Sequence, residues 1–326
     1  MPVKPLLHSR DAGLAALTLL LAVALGFRSP QFRDPVALAG MLDDTGILVL
    51  LALGQMLVIL TRGIDLSVAA NVAFSGMAVA LLNQAHPAWP VPVLMAIALL
   101  IGLLLGLVNG LLVWLLELPS IVVTLGTMAI YRGCVYLLSG GAWVNSDKMT
   151  PAFQSLMRAQ WLGLSALSWL ALLATLATAL WLRRFRSGRA LFMAGGNPSA
   201  AAYVGISAGR MLCVAFTISG AIAGLCGYLW VARYGVAYTD VASGFELQVI
   251  AACVIGGVAV AGGSGTVAGV LVGCLFLGLI RNALTLTGIS PFWQTAVSGA
   301  VITVAVTLNA LRHRQQRRYI LEAEPT

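Results

Sequence analysis

Long runs of apolar residues, separated by short polar breaks, make up most of this chain of 326 residues. A helix that crosses a bilayer needs about 20 apolar residues, and several of the uncharged runs are longer than that. The prolines of "NQAHPAWPVP" and the glycines of "GGVAVAGGSGT" divide the longest of them. The pattern predicts ten crossing segments, near residues 12–27, 45–61, 67–83, 92–116, 118–139, 162–182, 211–231, 246–261, 265–281 and 292–311.

Composition supports the same class of protein. Hydrophobic residues make up 60% of the chain and charged residues only 9%, whereas a soluble domain carries about 25% charged residues. Transmembrane barrels show short alternating segments, which this sequence lacks. We therefore expect an all-α integral membrane protein. The five cysteines lie inside apolar runs without metal-ligand spacing, and we interpret them as small buried hydrophobic residues.

The basic residues predict the topology. They cluster at the N-terminus, at the C-terminus and in the segment 183–210, which contains no acidic residue. Basic loops stay in the cytoplasm, and six predicted crossings before this segment place it on the same side as both termini. We expect one membrane domain over residues 1–326, divided into a first half 1–182, a cytoplasmic loop 183–210, a second half 211–311 and a cytoplasmic tail 312–326.

These charges also suit contact with membrane lipid. Nucleic acid is excluded as a partner, because no soluble domain is available to present a basic patch.

A weak internal repeat predicts two inverted halves of five helices each. "GIDLSVAANVAFSG" (63–76) resembles "GFELQVIAACVIGG" (244–257), with a glycine, an apolar residue, an acid and a leucine in the same order. Five crossings separate the two segments, so they should run in opposite directions through the membrane. Inverted repeats are typical of transporters, whose sites lie near broken helices at the midplane.

Two carboxylates occupy equivalent places in this repeat, Asp65 and Glu246. Ionisable side chains at membrane depth are costly and are often functional, so both are candidates for a substrate pathway. An acid near a helix N-terminus also satisfies free N–H groups, and a capping role is the alternative for each.

Further polar side chains in the apolar runs suit a pathway for a polyhydroxyl substrate, which needs amide, hydroxyl and aromatic partners. Hydrogen bonds between helices are the alternative role for each of them. Trp293 also suits the aromatic belt at a membrane interface. These candidates are Asn71, Asn109, Thr124, Thr127, Tyr131, Asn282, Trp293 and Gln294.

An enzyme is not expected. The segments "GISAG" and "GGSG" resemble serine-nucleophile patterns but lack the strand-to-helix context and a nearby base. Neither of the two lysines follows a glycine, so a phosphate-binding G-x-x-x-x-G-K-[ST] loop is excluded. If ATP drives this protein, another chain must hydrolyse it. Glycines at 102, 106 and 110, and at 265, 269 and 273, predict close helix packing.

Several motifs in one order resemble a known family. They are "LTRGIDLSVAA", "LPSIVVTLGTMAIYRG", "GRALFMAGGNPSAAAYVGI", "GFELQVIAACVIGGVAVAGGSGTVAGVLVG" and "GISPFWQTAVSGAVI". Together they look like the permease subunits of bacterial ABC sugar importers of the ribose/autoinducer-2 type. Within that family the sequence looks most like the permeases of rhamnose importers.

The resemblance implies a transport subunit of the bacterial inner membrane. A separate ATPase would bind ATP and Mg²⁺, a periplasmic protein would deliver the sugar, and a second permease, identical or paralogous, would complete the pathway. Rhamnose is the favoured substrate, with ribose, xylose and autoinducer 2 as alternatives. The central loop would couple to the ATPase through residues that match the family pattern, although it lacks the glutamate found in other importers. These residues are Gly188, Arg189, Gly195, Asn197, Ala200, Ala201 and Gly205.

An ATP-independent secondary carrier for a small polar solute is the competing function. The chain has few membrane carboxylates for coupling to protons or sodium, which argues against it.

Overall fold

Helices form nearly all of the regular structure. The computed structural model describes residues 9–286 and, beyond them, only residues 293, 296, 299, 300 and 303. The helices are α1 (Ser9–Arg28), α2 (Pro35–Leu60), α3 (Val68–Ala85), α4 (Val91–Leu115), α5 (Ser120–Ser139), α6 (Pro151–Arg158), α7 (Ala166–Arg184), α8 (Arg186–Gly196), α9 (Pro198–Tyr203), α10 (Ala208–Tyr234), α11 (Phe245–Ile255) and α12 (Val267–Leu286).

Short elements complete the connections. Two 3-10 helices cover Pro30–Arg33 and Ser146–Lys148. Strand β1 (Val144–Asn145) pairs antiparallel with β4 (Val236–Ala237), and β2 (Gln160–Trp161) pairs antiparallel with β3 (Leu164–Ser165). The β1–β4 ladder joins two separate connections, and the β2–β3 ladder closes a hairpin within the connection between α6 and α7.

Eight helices in the described part of the chain are long and apolar enough to cross a membrane, namely α1 to α5, α7, α10 and α12. They confirm eight of the ten predicted segments. Helix α2 begins ten residues earlier than predicted, at Pro35, because the Asp34 side chain accepts a hydrogen bond from the Val36 N–H and caps it. The predicted break at "NQAHPAWPVP" separates α3 from α4.

The predicted crossing at 246–261 is wrong as a full helix. Helix α11 has 11 residues, which span about 16 Å, or about half of the hydrocarbon core. It ends at Ile255, before Gly256 and Gly257, and the chain is irregular until Val267. The predicted tenth crossing at 292–311 lies outside the described residues except for the five positions named above.

Contacts between helices define two ends of the bundle. At the first, which we call the Leu60 end, the Gly263 N–H donates to the Leu60 carbonyl, and Arg210 lies over the Trp114 ring. At the second, the Arg233 end, Arg233 of α10 pairs with acids of α2. Six long helices precede the 183–210 segment, as predicted, and this segment lies at the Leu60 end.

The two repeat segments begin at opposite ends of the bundle. Helix α3 starts soon after α2 finishes at the Leu60 end. Helix α11 starts at the Arg233 end, where the Phe245 ring packs 5.1 Å from the ring of Trp230 in α10. The predicted opposite orientation of the two segments is therefore confirmed.

Small residues bring the central helix α10 close to its neighbours. A Cβ atom at Gly102 or Gly106 of α4 would collide with the α10 backbone at Gly220, and a Cβ at Gly110 would meet Cys213. The second predicted series behaves alike, since Gly269 of α12 packs on Gly256. The glycine spacing thus predicted real contacts, which bring helix backbones together where side chains would separate them.

Charged residues tie three helices together at the Arg233 end. The Arg233 guanidinium lies 2.8 Å from an Asp44 carboxylate oxygen and 3.4 Å from one of Asp43. Asp43 also accepts hydrogen bonds from Ser165 and Ser168 at the start of α7, the latter at 2.6 Å. Because both acids are paired, α2 can carry them within a long apolar helix.

Four of the five cysteines are buried, and Cys134 is half-buried. The burial of these four agrees with the predicted role as small buried hydrophobic residues.

Candidate functional site

The buried Asp65 carboxylate organises the start of α3. Its Oδ1 atom accepts from the Ser67 N–H at 2.9 Å and from the Ser67 hydroxyl at 2.7 Å. This Asx turn forms because a short carboxylate reaches the N–H two residues ahead. Burial raises the pKa of Asp65 to about 6, whereas the two bonds from Ser67 act in the opposite direction. The geometry is that of the capping alternative.

The turn continues into a polar network with α4 and α5, which we call the Asp65 junction. The Asn109 amide donates to the Ser67 hydroxyl at 2.8 Å, and the Tyr131 hydroxyl lies 3.5 Å from the Asn109 carbonyl oxygen. Tyr131 also donates to the Leu105 carbonyl at 2.9 Å. The structure thus brings three predicted candidates, Asp65, Asn109 and Tyr131, into one cluster.

Helix α5 joins the same junction through backbone groups of Ile64. The Ser120 hydroxyl accepts from the Ile64 N–H at 3.1 Å, and the Thr124 hydroxyl lies 3.2 Å from the Ile64 carbonyl oxygen. Thr127 makes a contact one turn further along, at 3.4 Å from the Thr124 carbonyl. The two bonds to Ile64 join α5 to the connection between α2 and α3, whereas the Thr127 bond stays within α5.

Asn71 lies on the next turn of α3 and bridges two helices. Its amide nitrogen lies 3.2 Å from the Gly102 carbonyl oxygen and 3.4 Å from that of Gly220, and its oxygen accepts from Ser75 at 3.0 Å. Asn71 therefore uses its amide within the seam between α4 and α10.

Gln55 belongs to the junction but was missed from the sequence. In the amide orientation that satisfies both of its polar atoms, it bonds the backbone N–H and carbonyl of Asp65 at 3.1 and 3.3 Å. A glutamine alone in an apolar helix was the available signal. This contact shows that residues 61–67 turn back along α2, since Gln55 precedes the end of that helix by more than one turn.

Glu246 has different surroundings. It lies in the first turn of α11, half-buried, after Gly244 with φ of 78°. Arg132 of α5 lies within electrostatic range of Glu246, and its guanidinium donates to the carbonyls of Thr239 and Val241 at 3.0 and 2.7 Å. Arg132 was not among the sequence candidates. Its position inside an apolar run was the signal.

The remaining pathway candidates lie apart from the Asp65 junction. Asn282 of α12 donates to the Gly278 carbonyl at 2.8 Å and lines a small cleft with Asp44, Gln248 and Arg281. Trp293 is exposed. Gln294 lies outside the described residues.

The loop predicted to couple with an ATPase forms two helices, α8 and α9, beside the Leu60 end. Asn197 separates them and caps α9, because its side-chain oxygen accepts from the Ala200 N–H at 3.0 Å. Gly205, with φ of 79°, follows α9 at an exposed turn where an L side chain would be strained. Ala200 is exposed.

Several residues of the predicted coupling pattern face the bundle. Gly188 packs on the backbone of Trp181 and Leu182, Gly195 packs on Leu60, and Ala201 is buried. The Arg189 guanidinium lies 3.1 Å from the Arg184 carbonyl oxygen at the end of α7. The small residues and this arginine therefore hold α8 and α9 against their own chain.

Large apolar side chains occupy the outer surface of this helical pair. Tyr203 is 92% exposed and Val204 is 62% exposed, and Phe185 and Met193 are also exposed. We call these four residues the apolar loop surface. A sequence search for small residues missed them. Their signal is the presence of apolar residues in a basic segment between membrane helices.

Eight apolar helices, an inverted pair of broken segments and a helical pair on a basic connection define a multi-pass transport protein of the membrane. The chain belongs to the family described as the permease component of branched-chain amino acid transport systems, whose pattern matches residues 37–306.

Curated relatives cover almost the whole chain. The autoinducer 2 import system permease protein LsrC of Enterobacter sp. (strain 638) is 36% identical over 97% of this chain and 93% of its own length. LsrC of Klebsiella pneumoniae is 35% identical over 97% of this chain and 93% of its own length. LsrC of Shigella flexneri is 33% identical over 93% of this chain and 87% of its own length. These names confirm the predicted kind of permease but give rhamnose no support. No solved structure shows a significant match.

Proposed function

We propose that this chain is the membrane subunit of an ATP-driven importer that carries autoinducer 2 or a similar small sugar into the cytoplasm. The proposal is supported by the family match and by relatives named as autoinducer 2 permeases over nearly their full length. A separate ATPase supplies the energy, binding ATP and Mg²⁺. A periplasmic binding protein delivers the substrate, and a second permease subunit completes the pathway in the inner membrane.

The single observation that carries the coupling part of the proposal is the apolar loop surface on α8 and α9. Exposed aromatic and aliphatic residues outside the apolar helices favour a protein partner, because in water they gain from burial. In this topology the Leu60 end and both termini face the cytoplasm, and the ATPase docks on Tyr203 and Val204.

The substrate route is proposed to pass on the side of Glu246 and Asn282. Both side chains are half-buried, and the cleft beside Asn282 offers carboxylate, guanidinium and amide groups to a polyhydroxyl molecule. The side chains of the Asp65 junction bond to one another and to backbone, so they support the wall of that route.

The test is co-purification of the ATPase encoded with this chain, combined with substrate uptake into membrane vesicles. Tyr203→Glu with Val204→Glu places two charges on the apolar loop surface. We expect the wild type to retain the ATPase and to take up autoinducer 2 only with ATP, and the double variant to lose both. Leu162→Glu is the matched control, because Leu162 is 91% exposed but lies in a turn far from α8 and α9.

Uptake by the wild type without ATP or ATPase would overturn the proposal and favour a secondary carrier. Retention of the ATPase by the double variant would reject α8 and α9 as its docking site.

A further inference from the structure

We propose that Arg62 is the positioning residue that transmits movement of α8 to the Asp65 junction. This inference rests on the proposed function, because it assumes that an ATPase moves α8 and α9. It assigns the transmission to one side chain at the Leu60 end, which neither the fold nor the family match identifies.

Arg62 holds the last turn of α8. Its Nε atom donates to the Gly195 carbonyl at 2.5 Å, and one terminal nitrogen donates to the Gly196 carbonyl at 3.1 Å. The last carbonyls of a helix lack partners within the helix, and a cation favours that end of the dipole. The Arg62 guanidinium, whose donors are fixed in one plane, therefore ties the end of α8 to the segment that follows α2.

Glycines make this contact close enough to carry displacement. A Cβ atom at Gly195 would collide with the Leu60 carbonyl, and one at Gly263 would collide with Gly196. The Gly263 N–H donates to the Leu60 carbonyl at 2.9 Å. Three segments, the ends of α2 and α8 and the connection between α11 and α12, therefore meet through their backbones without intervening side chains.

The segment after Arg62 leads directly to the Asp65 junction. Ile64, two residues on, bonds α5 through Ser120 and Thr124, and Asp65 fixes the start of α3 through Ser67. Ser67 receives the bond from Asn109 of α4. A displacement of the α8 carbonyls thus reaches α5 through residues 62–64 and the start of α3 through residues 62–67.

The backbone of Arg62 also indicates a constrained position. Its φ of 69° lies in the left-handed region, which is uncommon for a residue with a side chain. Such a conformation persists when its surroundings fix it. Here the carbonyls of Gly195 and Gly196 bind the Arg62 side chain. Gly262 packs so closely on this side chain that a Cβ atom at Gly262 would collide with it.

The experiment uses the full transporter complex reconstituted in vesicles, with ATP hydrolysis and autoinducer 2 uptake measured on the same preparation. For Arg62→Ala we expect the ATPase to remain bound and to hydrolyse ATP within twofold of wild type, while uptake per ATP falls at least tenfold. Arg62→Lys, which keeps a cation and donors, should recover part of the ratio. Arg183→Ala is the matched control, because its exposed side chain makes no hydrogen bond within residues 9–286.

Gly262→Ala is the second variant, since its Cβ displaces the Arg62 side chain without removing the charge, while the φ of 84° adds backbone strain at the same turn. It should reproduce the loss of uptake per ATP. Hydrogen exchange separates coupling from a purely structural role. In the wild-type complex, exchange in peptides covering residues 61–67 should change when ATP binds, and in Arg62→Ala this response should disappear.

An unchanged uptake-to-hydrolysis ratio in Arg62→Ala would overturn the proposal. So would loss of the ATPase from that variant, because Arg62 would then only shape the docking surface. If Arg62→Ala loses its fold, it will aggregate. The proposal is then tested by the change in hydrogen exchange of residues 61–67 on ATP binding in Arg62→Lys and Gly262→Ala. If the wild type itself binds no ATPase, the proposed function has failed instead.

Discussion

The starts of α3 and α11 share a sequence pattern but differ in structure. Before α3, Asp65 is buried and closes a turn on Ser67 within a network of three helices. At α11, Gly244 makes the turn, and Glu246 is half-buried, with a carboxylate that accepts no hydrogen bond from residues 9–286. Equivalent positions in the repeat therefore have different roles. Asp65 stabilises the contact between helices, whereas the Glu246 carboxylate remains accessible.

The largest expected difference is in what each carboxylate contributes to stability. Asp65→Ala should be less stable than Asp65→Asn by about 2–3 kcal/mol, because alanine leaves two buried donors of Ser67 unsatisfied and asparagine retains the acceptor oxygen. Glu246→Ala and Glu246→Gln should differ by less than about 0.5 kcal/mol. Unfolding midpoints of the four variants in one detergent measure both pairs. Equal differences at the two positions would contradict the contrast.

A pH profile sharpens the comparison. The folded protein holds a proton on Asp65 up to about pH 6, whereas the unfolded chain releases it near the ordinary value of 3.8. The folded state therefore binds more protons between these values, and this group's contribution to stability falls as pH rises from about 4 to about 6. The thermal unfolding midpoint of wild type minus that of Asp65→Asn should decrease across that window. Above about pH 6 this difference should be level. A difference between wild type and Asp65→Asn that stays level from about pH 4 to about pH 6 would refute the burial effect.

The two glycines that open the repeat pattern should give the smallest contrast. Gly63→Ala places a Cβ within 3 Å of Leu212 and Val58, and overpacking of this kind costs about 1–3 kcal/mol. Gly244→Ala meets open space, and its cost of about 1–2 kcal/mol comes from the positive φ alone. Gly244→Asn should recover stability because asparagine tolerates this conformation, whereas Gly63→Asn should not. Recovery at both positions would show that packing at Gly63 is loose.

The sequence predicted the helices well because length and apolarity decide membrane crossing. The apolar runs predicted eight of the helices, and the prolines predicted the break between α3 and α4. The odd number of crossings between the two repeat segments predicted their opposite orientation. The start of α2 was missed because the charges of Asp43 and Asp44 marked a boundary. Arg233 neutralises both charges, but it lies about 190 positions further along the chain. A local sequence pattern therefore could not reveal this pairing.

The candidate site was predicted less completely. Asp65, Asn109, Thr124 and Tyr131 were found because polar residues stand out in apolar runs, and the structure brings them together. Gln55 and Arg62 were missed because their role depends on residues 61–67 turning back beside α2 and α8. Which face of α8 is exposed also depends on the tertiary contact with Leu60.

The glycine seam between α4 and α10 has a consequence in terms of conformational entropy. Gly102, Gly106 and Gly220 have no rotamers, so this contact forms without freezing side chains. It also offers no second set of rotamers into which the two helices could repack. The pair is therefore expected to move as one rigid body. Conformational change is left to segments such as α11, whose short helix and irregular continuation from Gly256 can rotate without separating that seam.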